Sequence, residues 1–501
     1  MVSLNPAVTG QGRTFINTDG AGCGNSFSYL GCYKVDSLEQ SLGDITSIYC
    51  PSDEQYDAFV EVASIRGADS RWTSTLTGTL PVDTETELEK IRRRGCSFNL
   101  QVHFGACNRP DDFSSFNSAI VLQDVRLTNY NLSSLTALSP DERAAVSETA
   151  SISAGSAYRV FPLEYSVTAT NVATTGAIVG VTICDSIRCG TLCNAVGPSD
   201  GCERVYALNI IEGSVPSLIF TVDGGLLWEQ RDTDLPVSNA LPNTNFGDFS
   251  VKCVDGSLWL SVYDGTDSSV YIIDPEGVEL TASNFSSVTV GTLSNVIVRD
   301  MDLGSNNVYV VGSANGGGSY IAAIDKTSQV ITVIDDSVLS LTINFLSVDA
   351  IDDNVVLIGG TDGRVAFSSV EGSFTLSQIV VNGVNVTDDV NDVHLIDDTN
   401  WLVEAGGSIY CTGNRGTTWT QLLATGNSGK FSFYDNVLGF FQNSNNIYRT
   451  MDGGNSWDSV ATISGVAPGN AIVCANNPNV YYSAGGNLDA DTPFIIRGVS
   501  T

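Results

Sequence analysis

The densest group of side chains able to do chemistry is Cys184-x4-Cys189-x3-Cys193-x8-Cys202, four of the twelve cysteines in the chain. Four thiolates can hold a tetrahedral zinc ion, but these spacings match no common finger. The same residues could instead pair as two disulfides or stay as buried thiols, and disulfide or free thiol is the expectation, with no metal and no cofactor. Two acidic pairs, Asp352-Asp353 and Asp397-Asp398, carry the oxygen ligands that calcium prefers. Neither lies in a ligand-loop spacing, so they are expected as solvated loop carboxylates. The two histidines, His103 and His394, sit far apart in strand-like text and are expected to be structural. No Ser-His-Asp constellation, P-loop or Gly-x-Gly-x-x-Gly pattern stands out. The basic cluster Arg92, Arg93 and Arg94 ends the segment DTETELEKIRRR (83–94). Acidic first turns, a basic last turn and Gly95 as a stop predict a helix there. The three arginines are then either a capped helix end or a subunit contact. No catalytic residue is assigned, and the chain is not expected to be an enzyme.

The elements that must position these residues belong to 501 residues with a formal net charge of −33. Residues 1–165 carry 20 acidic and 12 basic side chains, and residues 166–501 carry 36 and 11. The resulting differences are −8 and −25, a field that repels phosphate backbones and argues against nucleic-acid binding through basic contacts. No apolar run is long enough to span a membrane, and the N-terminus shows no basic start followed by an apolar core.

Residues 1–30 read as an extended arm. Strand-like text follows at 42–80, 97–105, 118–132 and 157–167, with a short helix expected within 138–155. This predicts a mainly-β domain over 1–167. Residues 168–204 read as a linker or small cysteine-rich subdomain. From 205 to 501 a repeat is visible: TVDGGLLW (Thr221, Asp223, Gly225, Trp228), TGNRGTTW (Thr412, Asn414, Gly416, Trp419) and TMDGGNSW (Thr450, Asp452, Gly454, Trp457). SVEGSF (369–374) is a degenerate copy. In such a turn the Asp or Asn accepts backbone N–H bonds, the glycine supplies a shape a Cβ resists, and the tryptophan closes over the hairpin. The pattern resembles the Asp-box of BNR-type β-propellers such as sialidases, sortilin-like receptors and photosystem-assembly propellers. At ~40–45 residues per blade the 205–501 stretch predicts about seven blades. SLWLSVYD, NVYVVGS, NVVLIGG, NWLVEAGG and NVYYSAGG are expected as inner strands. A sialidase needs an arginine triad, and only Arg231, Arg299, Arg364, Arg415, Arg449 and Arg497 are available. Arg415 lies inside a box and Arg449 directly before one.

The N-terminal third resembles the major tail tube proteins of long-tailed bacteriophages through LGDI (42–45), FVEVASIRG (59–67), TLTG (75–78), RRRGCSFNLQVHFGAC (92–107), VLQDVRLTNYNLSSL (121–135) and LSPDERAAVSETASISAG (138–155). The fold expected is all-β: a tail-tube-like sandwich or barrel with one helix, then a propeller of about seven blades. The resemblance implies a virion protein made in the host cytoplasm. It would form hexameric rings stacked as a DNA conduit, with itself and other tail proteins as partners and passing DNA not bound specifically. The propeller would then be an external decoration, with host-surface glycans as candidate partners. Two alternatives stand beside this. One is an adhesion or receptor-type protein whose propeller is the binding module. The other is an assembly factor of the photosystem-propeller kind.

Overall fold

A computed structural model of the chain describes residues 10–17, 23–24, 27–41, 45–52, 55–66, 71–81, 88, 97–104, 113, 116–136, 145–161, 165–171, 177–183, 204–210, 217–221, 228–232, 249–254, 257–273, 287–314, 317–334, 343–444, 446–463, 469–474, 477–485 and 494–500. Two compact units result. One comprises Met1–Ala21 and Asn25–Pro162; the other comprises Gly22–Gly24 and Leu163–Thr501.

The first unit is a barrel-like sheet. Its strands are β1 (Gly10–Asn17), β2 (Ser28–Ser41), β5 (Arg71–Pro81), β6 (Phe98–Phe104), β7 (Ser118–Thr136), β8 (Ala145–Ala154) and β9 (Ser156–Val160). They run in the order β6-β1-β2-β5-β8-β7-β9, and β6 also pairs with β7, which closes the sheet. Ile16, Val35, Leu76, Leu100, Val102, Ile120, Leu122 and Ile152 fill it. Glu148 is fully buried among them and accepts 2.5 Å hydrogen bonds from the hydroxyls of Tyr33 and Tyr130. Burial, then the Glu148 bond, raises the Tyr33 pKa, so the pair stays a neutral phenol on an acceptor. A separate hairpin, β3 (Ile45–Ser52) with β4 (Gln55–Arg66), pairs with no other strand among the described residues.

Two expectations are corrected here. The supposed N-terminal arm contains β1, paired on both sides. Its Phe15 and Ile16 are almost fully buried, so the Gly/Thr-rich text hides a central strand. Residues 145–154, within the segment expected to hold a short helix, form β8. Ala150, Ile152 and Ala154 alternate inward with period two. Of the helix expected at 83–94 only Leu88 is described; it is helical, as expected, and buried in the barrel core, while Arg92, Arg93 and Arg94 lie outside the described residues.

The second unit is a ring of seven four-stranded antiparallel sheets. Blade one is β11 to β14 (Ala177–Ile183, Val205–Ile210, Ser217–Thr221, Glu229–Asp232). Blade two is β15 to β18 (Phe249–Val254, Ser257–Tyr263, Ser268–Ile273, Ser287–Leu293). Blade three is β19 to β22 (Val296–Leu303, Asn307–Ala314, Ser319–Asp325, Ile331–Val333). Blade four is β23 to β26 (Phe345–Ala350, Val356–Gly360, Arg364–Val370, Ser373–Gln378). A small hairpin, β27 (Val380–Val381) with β28 (Val384–Asn385), leads on. Blade five is β29 to β32 (Val390–Leu395, Trp401–Ala405, Ser408–Thr412, Thr420–Ala424). Blade six is β33 to β36 (Gly429–Phe433, Gly439–Asn443, Asn446–Thr450, Asp458–Thr462). Blade seven takes β37 to β39 (Gly469–Cys474, Val480–Gly485, Phe494–Ser500) from the end of the chain and its outermost strand, β10 (Tyr165–Asn171), from before blade one.

This closure overturns the domain boundary expected from sequence. The propeller starts near Leu163 and not at 205, and the stretch assigned to a linker supplies β10 and β11. The apolar runs expected as inner strands are also reassigned. SLWLSVY, NVYVVGSA, VLIGG, WLVEA and VYYSAG are second strands, and nearly all their residues are buried. A second strand is covered by neighbouring blades on both faces, so it reads as a continuous apolar run. The innermost strand borders the axis of the ring and carries polar residues instead.

Candidate functional site

The innermost strands β11, β15, β19, β23, β29, β33 and β37 touch one another in cyclic order. Each has one edge that pairs with its own second strand and one that meets no strand. Unpaired N–H groups on that edge need acceptors, and the preceding blade supplies them. Thr182 Oγ1 accepts from Cys253 N–H at 3.3 Å, Asp300 Oδ2 from Val348 at 3.2 Å and Asp302 Oδ2 from Ala350 at 2.9 Å. Asp349 Oδ2 accepts from Leu395 at 2.6 Å, Asp392 Oδ2 from Phe431 at 2.6 Å and Ser432 Oγ from Cys474 at 2.8 Å. The carboxylates of the inner strands therefore stitch blade to blade.

Cations complete the set. Lys252 Nζ lies 3.2 Å from Asp302, Lys430 Nζ 3.2 Å from Asp392, and His394 Nδ1 3.0 Å from Asp349. The His394 ring stacks on Phe433 with centroids 4.0 Å apart. Burial raises the Asp302 carboxyl to about 7 against the pull of Lys252, and the adjoining Asp349 adds to the rise. Burial would raise Asp349 as well, but His394 and the hydrogen bond with Asp302 hold it below the usual carboxylate range. The two carboxyls thus compete for a proton, and Asp302 is the weaker acid of the two. Burial also raises Asp392, offset in part by Lys430. On the second strand of blade five, Glu404 is raised to about 7 by burial. It accepts from Gly407 N–H at 2.7 Å and Asn391 Nδ2 at 3.2 Å. No motif announces this girdle, because its members are one or two residues per inner strand, spaced a blade apart.

The box turns all join the third strand of a blade to the fourth, in blades one, five and six. In blade five, Asn414 Oδ1 accepts from Thr418 N–H at 2.8 Å and from the Thr412 hydroxyl at 3.0 Å. Gly416 has φ +74°. Trp419 is buried, donates Nε1–H to Gly416 O at 3.0 Å and packs 6.2 Å from Trp401. In blade six, Asp452 Oδ1 accepts from Ser456 N–H at 2.9 Å and from the Thr450 hydroxyl at 2.8 Å. Gly454 has φ +87°, and Trp457 packs on Phe431, Phe433 and Phe441. In blade one, Thr221 ends β13 and Trp228 meets Tyr482 edge-on; Asp223 and Gly225 lie outside the described residues. The degenerate SVEGSF copy falls at the same place in blade four.

The acidic pairs are turn-formers rather than solvated carboxylates. Asp352 Oδ1 accepts from Asn354 and Val355 N–H, and Asp397 Oδ1 from Thr399 and Asn400 N–H. Asp353 is buried and holds the neighbouring blade through Asn306 and Asn307. Asp398 pairs with Arg415. His103 is fully buried against Phe15, Phe113 and Phe116. Cys184, Cys189, Cys193 and Cys202 lie outside the described residues. A covalent link that sequence spacing could not announce joins Cys23 to Cys411, 388 residues apart. Cys253 is also disulfide-bonded, while Cys474 is a free thiol. Among the described residues no group of three or more His, Cys, Asp or Glu side chains is placed to hold a metal ion, and no helix is long and apolar enough to cross a membrane.

Seven blades closed by β10 on β39 make the C-terminal unit a seven-bladed β-propeller. No protein-family model matches the chain, and no curated protein matches it. Solved structures of similar fold include YCF48 bound to D1 peptide, at 14% identity over 67% of this chain and 96% of that one, with a TM-score of 0.45. YCF48 from Cyanidioschyzon merolae matches at 13% identity over 66% and 98%, with a TM-score of 0.43. The RRP9 WD40 repeats match at 10% identity over 68% and 98%, with a TM-score of 0.44.

Proposed function

We propose that the chain is a non-enzymatic binding protein whose propeller recognises another protein. The observation that supports this is a set of exposed apolar side chains gathered at one end of the ring. In an antiparallel meander the turns after the first and third strands share an end. Ile351 follows the first strand of blade four, Val370 ends its third strand, Val330 precedes the last strand of blade three, and Val288 lies near the start of the last strand of blade two. Their exposures run from 49% to 63%. Val333 and Val384 are exposed elsewhere on the unit, and isolated exposed valines are ordinary, but four apolar side chains on one end suit a protein contact. The overall charge of −33 favours a partner with a basic rim around an apolar centre. Against catalysis, the described histidines and axial carboxylates are held in structural pairs.

The test is photo-crosslinking from a benzophenone side chain at position 370, with position 384 at the opposite end as control. A partner captured only from 370 supports the proposal. Equal or no capture, or glycan binding that survives polar substitution at 288, 330, 351 and 370, would overturn it. Self-assembly of the N-terminal barrel, as in a tail tube, is a second reading. It is favoured by the β3–β4 hairpin, whose strands pair only with each other among the described residues and so suit an intersubunit arm. Rings seen by negative-stain microscopy of the intact chain would favour it.

A further inference from the structure

We propose that the Cys23–Cys411 disulfide is a redox-sensitive latch that holds Cys23 and Gly24 across the turns of blades five and six. Cys411 is fully buried in the third strand of blade five, while Cys23 is partly exposed. Beside the bond, Gly24 N–H donates to Asn455 Oδ1 in the box turn of blade six at 2.8 Å. A Cβ on Gly413 would come within 3.2 Å of the Cys23 carbonyl oxygen, so a side-chain-free position in the box turn of blade five makes room for the segment. The short stretch 22–24 belongs to the propeller unit although the chain on both sides belongs to the barrel unit.

The bond secures the segment and not the blade. All four strands of blade five are paired through their own backbones. Its box turn is closed by Thr412, Asn414 and Trp419 without help from Cys23. Cutting the disulfide therefore releases Cys23 and Gly24 and leaves the blade standing. It also parts Asn455 Oδ1 from Gly24 N–H and uncovers Gly413, at the same end of the ring as the exposed valines. The latch stands whether or not that end binds a protein.

The chemistry is thiol–disulfide exchange with a cellular dithiol. A thiolate attacks the accessible Cys23 sulfur, the S–S bond breaks, and Cys411 leaves as a thiolate that takes a proton. The second thiol of the reductant then displaces Cys23 from the mixed disulfide. One dithiol is oxidised to its disulfide and two protein thiols form. Cys474 does not compete: its thiol donates to Ser432 O at 2.8 Å, and burial pushes it up to about 12, so almost none is thiolate at neutral pH.

Hydrogen exchange on the intact chain tests the latch, comparing oxidised protein, protein reduced with dithiothreitol, and Cys23→Ser. Reduction also opens the Cys253 disulfide, so Cys23→Ser isolates the latch. The expected result is exchange at least tenfold faster at Gly24, with the box-turn amides of 453–456 and strands β30 and β31 unchanged in Cys23→Ser. Unchanged exchange at Gly24 in Cys23→Ser would overturn the proposal. So would loss of protection throughout 401–424, which would make the bond a staple of the blade. If Cys23→Ser does not fold, mild reduction with alkylation decides: Cys23 and Cys411 labelled in protein that keeps its blade-five protection supports the latch, and labelling only after unfolding refutes it.

Discussion

Replacing Asp302 by Asn should remove much of the fall in propeller stability between pH 5 and pH 8, at the cost, at both pH values, of the Lys252 ion pair. The amide copies the protonated carboxyl, so it can still accept from Ala350 N–H. In the folded chain Asp302 holds its proton up to about 7, against an ordinary value of 3.8. Between those two values the folded state binds a proton that the unfolded state has lost, so stability falls as pH rises. A tenfold ratio is worth 1.36 kcal/mol, which sets a ceiling of about 4 kcal/mol on the loss. Asp349 is displaced in the opposite direction by His394 and Asp302 itself. It contributes stability that is lost only at acid pH, so the share that Asp302→Asn recovers is about 1–3 kcal/mol. Glu404, raised to about 7 by burial, gives the same sign and persists in the variant, so the slope should shrink without vanishing. Asp349→Asn should do the reverse and destabilise at neutral pH, because it leaves His394 without its carboxylate. Urea unfolding from pH 5 to pH 8, followed by tryptophan fluorescence, reads this out, since five of the six tryptophans lie in the propeller. An Asp302→Asn protein destabilised equally at both pH values would refute the raised Asp302 carboxyl.

Trp419→Ala should cost about 3–5 kcal/mol, as expected for a packed aromatic, and Trp457→Ala less, because Trp457 is only partly buried; urea midpoints compare them. Gly454→Ala should destabilise by about 1–3 kcal/mol, since its φ is +87° and a Cβ would approach Leu402 Cδ1 to 2.4 Å, and a thermal melt shows it. A fragment of residues 163–501 should give a cooperative melt, whereas 205–501 should not, because it lacks both β10 and β11. Cys474 should resist a chromogenic disulfide reagent at pH 8 until the chain is unfolded.

The sequence made the blades countable because the box turns repeat their chemistry where it must be local. Thr450, Asp452, Gly454 and Trp457 act on one another within eight residues, so their spacing survives in the text. The second strands were legible for another reason. Trp401, Leu402 and Val403 are covered on both faces, and a doubly covered strand is written as an unbroken apolar run. That same legibility misled. The most apolar strand reads as the innermost, while a true inner strand such as VNDVHL carries charged residues in place of an apolar run. Asp392 and His394 make sense only once a neighbouring blade presents Phe431 N–H and Asp349 to them.

Closure was the least legible feature, and the reason is physical. A ring of sheets has no local signal for where it begins, because each blade meets only its neighbours. The join is made by whichever strand completes the last sheet. Here β10 pairs with β39 over seven residues, from Tyr165 opposite Ser500 to Asn171 opposite Phe494. The segment YSVTATN carries no box and no apolar run, since an outermost strand has one side facing solvent. Its assignment depends on a partner more than 300 positions away. Cys23 and Cys411 lie 388 positions apart, a second contact that spacing along the chain cannot encode. A propeller that begins with an outer strand is harder to open than one whose first and last blades merely abut, because separating them breaks a backbone ladder in addition to side-chain packing. The 163–501 and 205–501 fragments differ in that ladder as well as in β11. Restoring cooperative unfolding to 205–501 should therefore require both missing strands, and a fragment that carries β11 but lacks β10 should melt at a lower temperature with its seventh blade exchanging first.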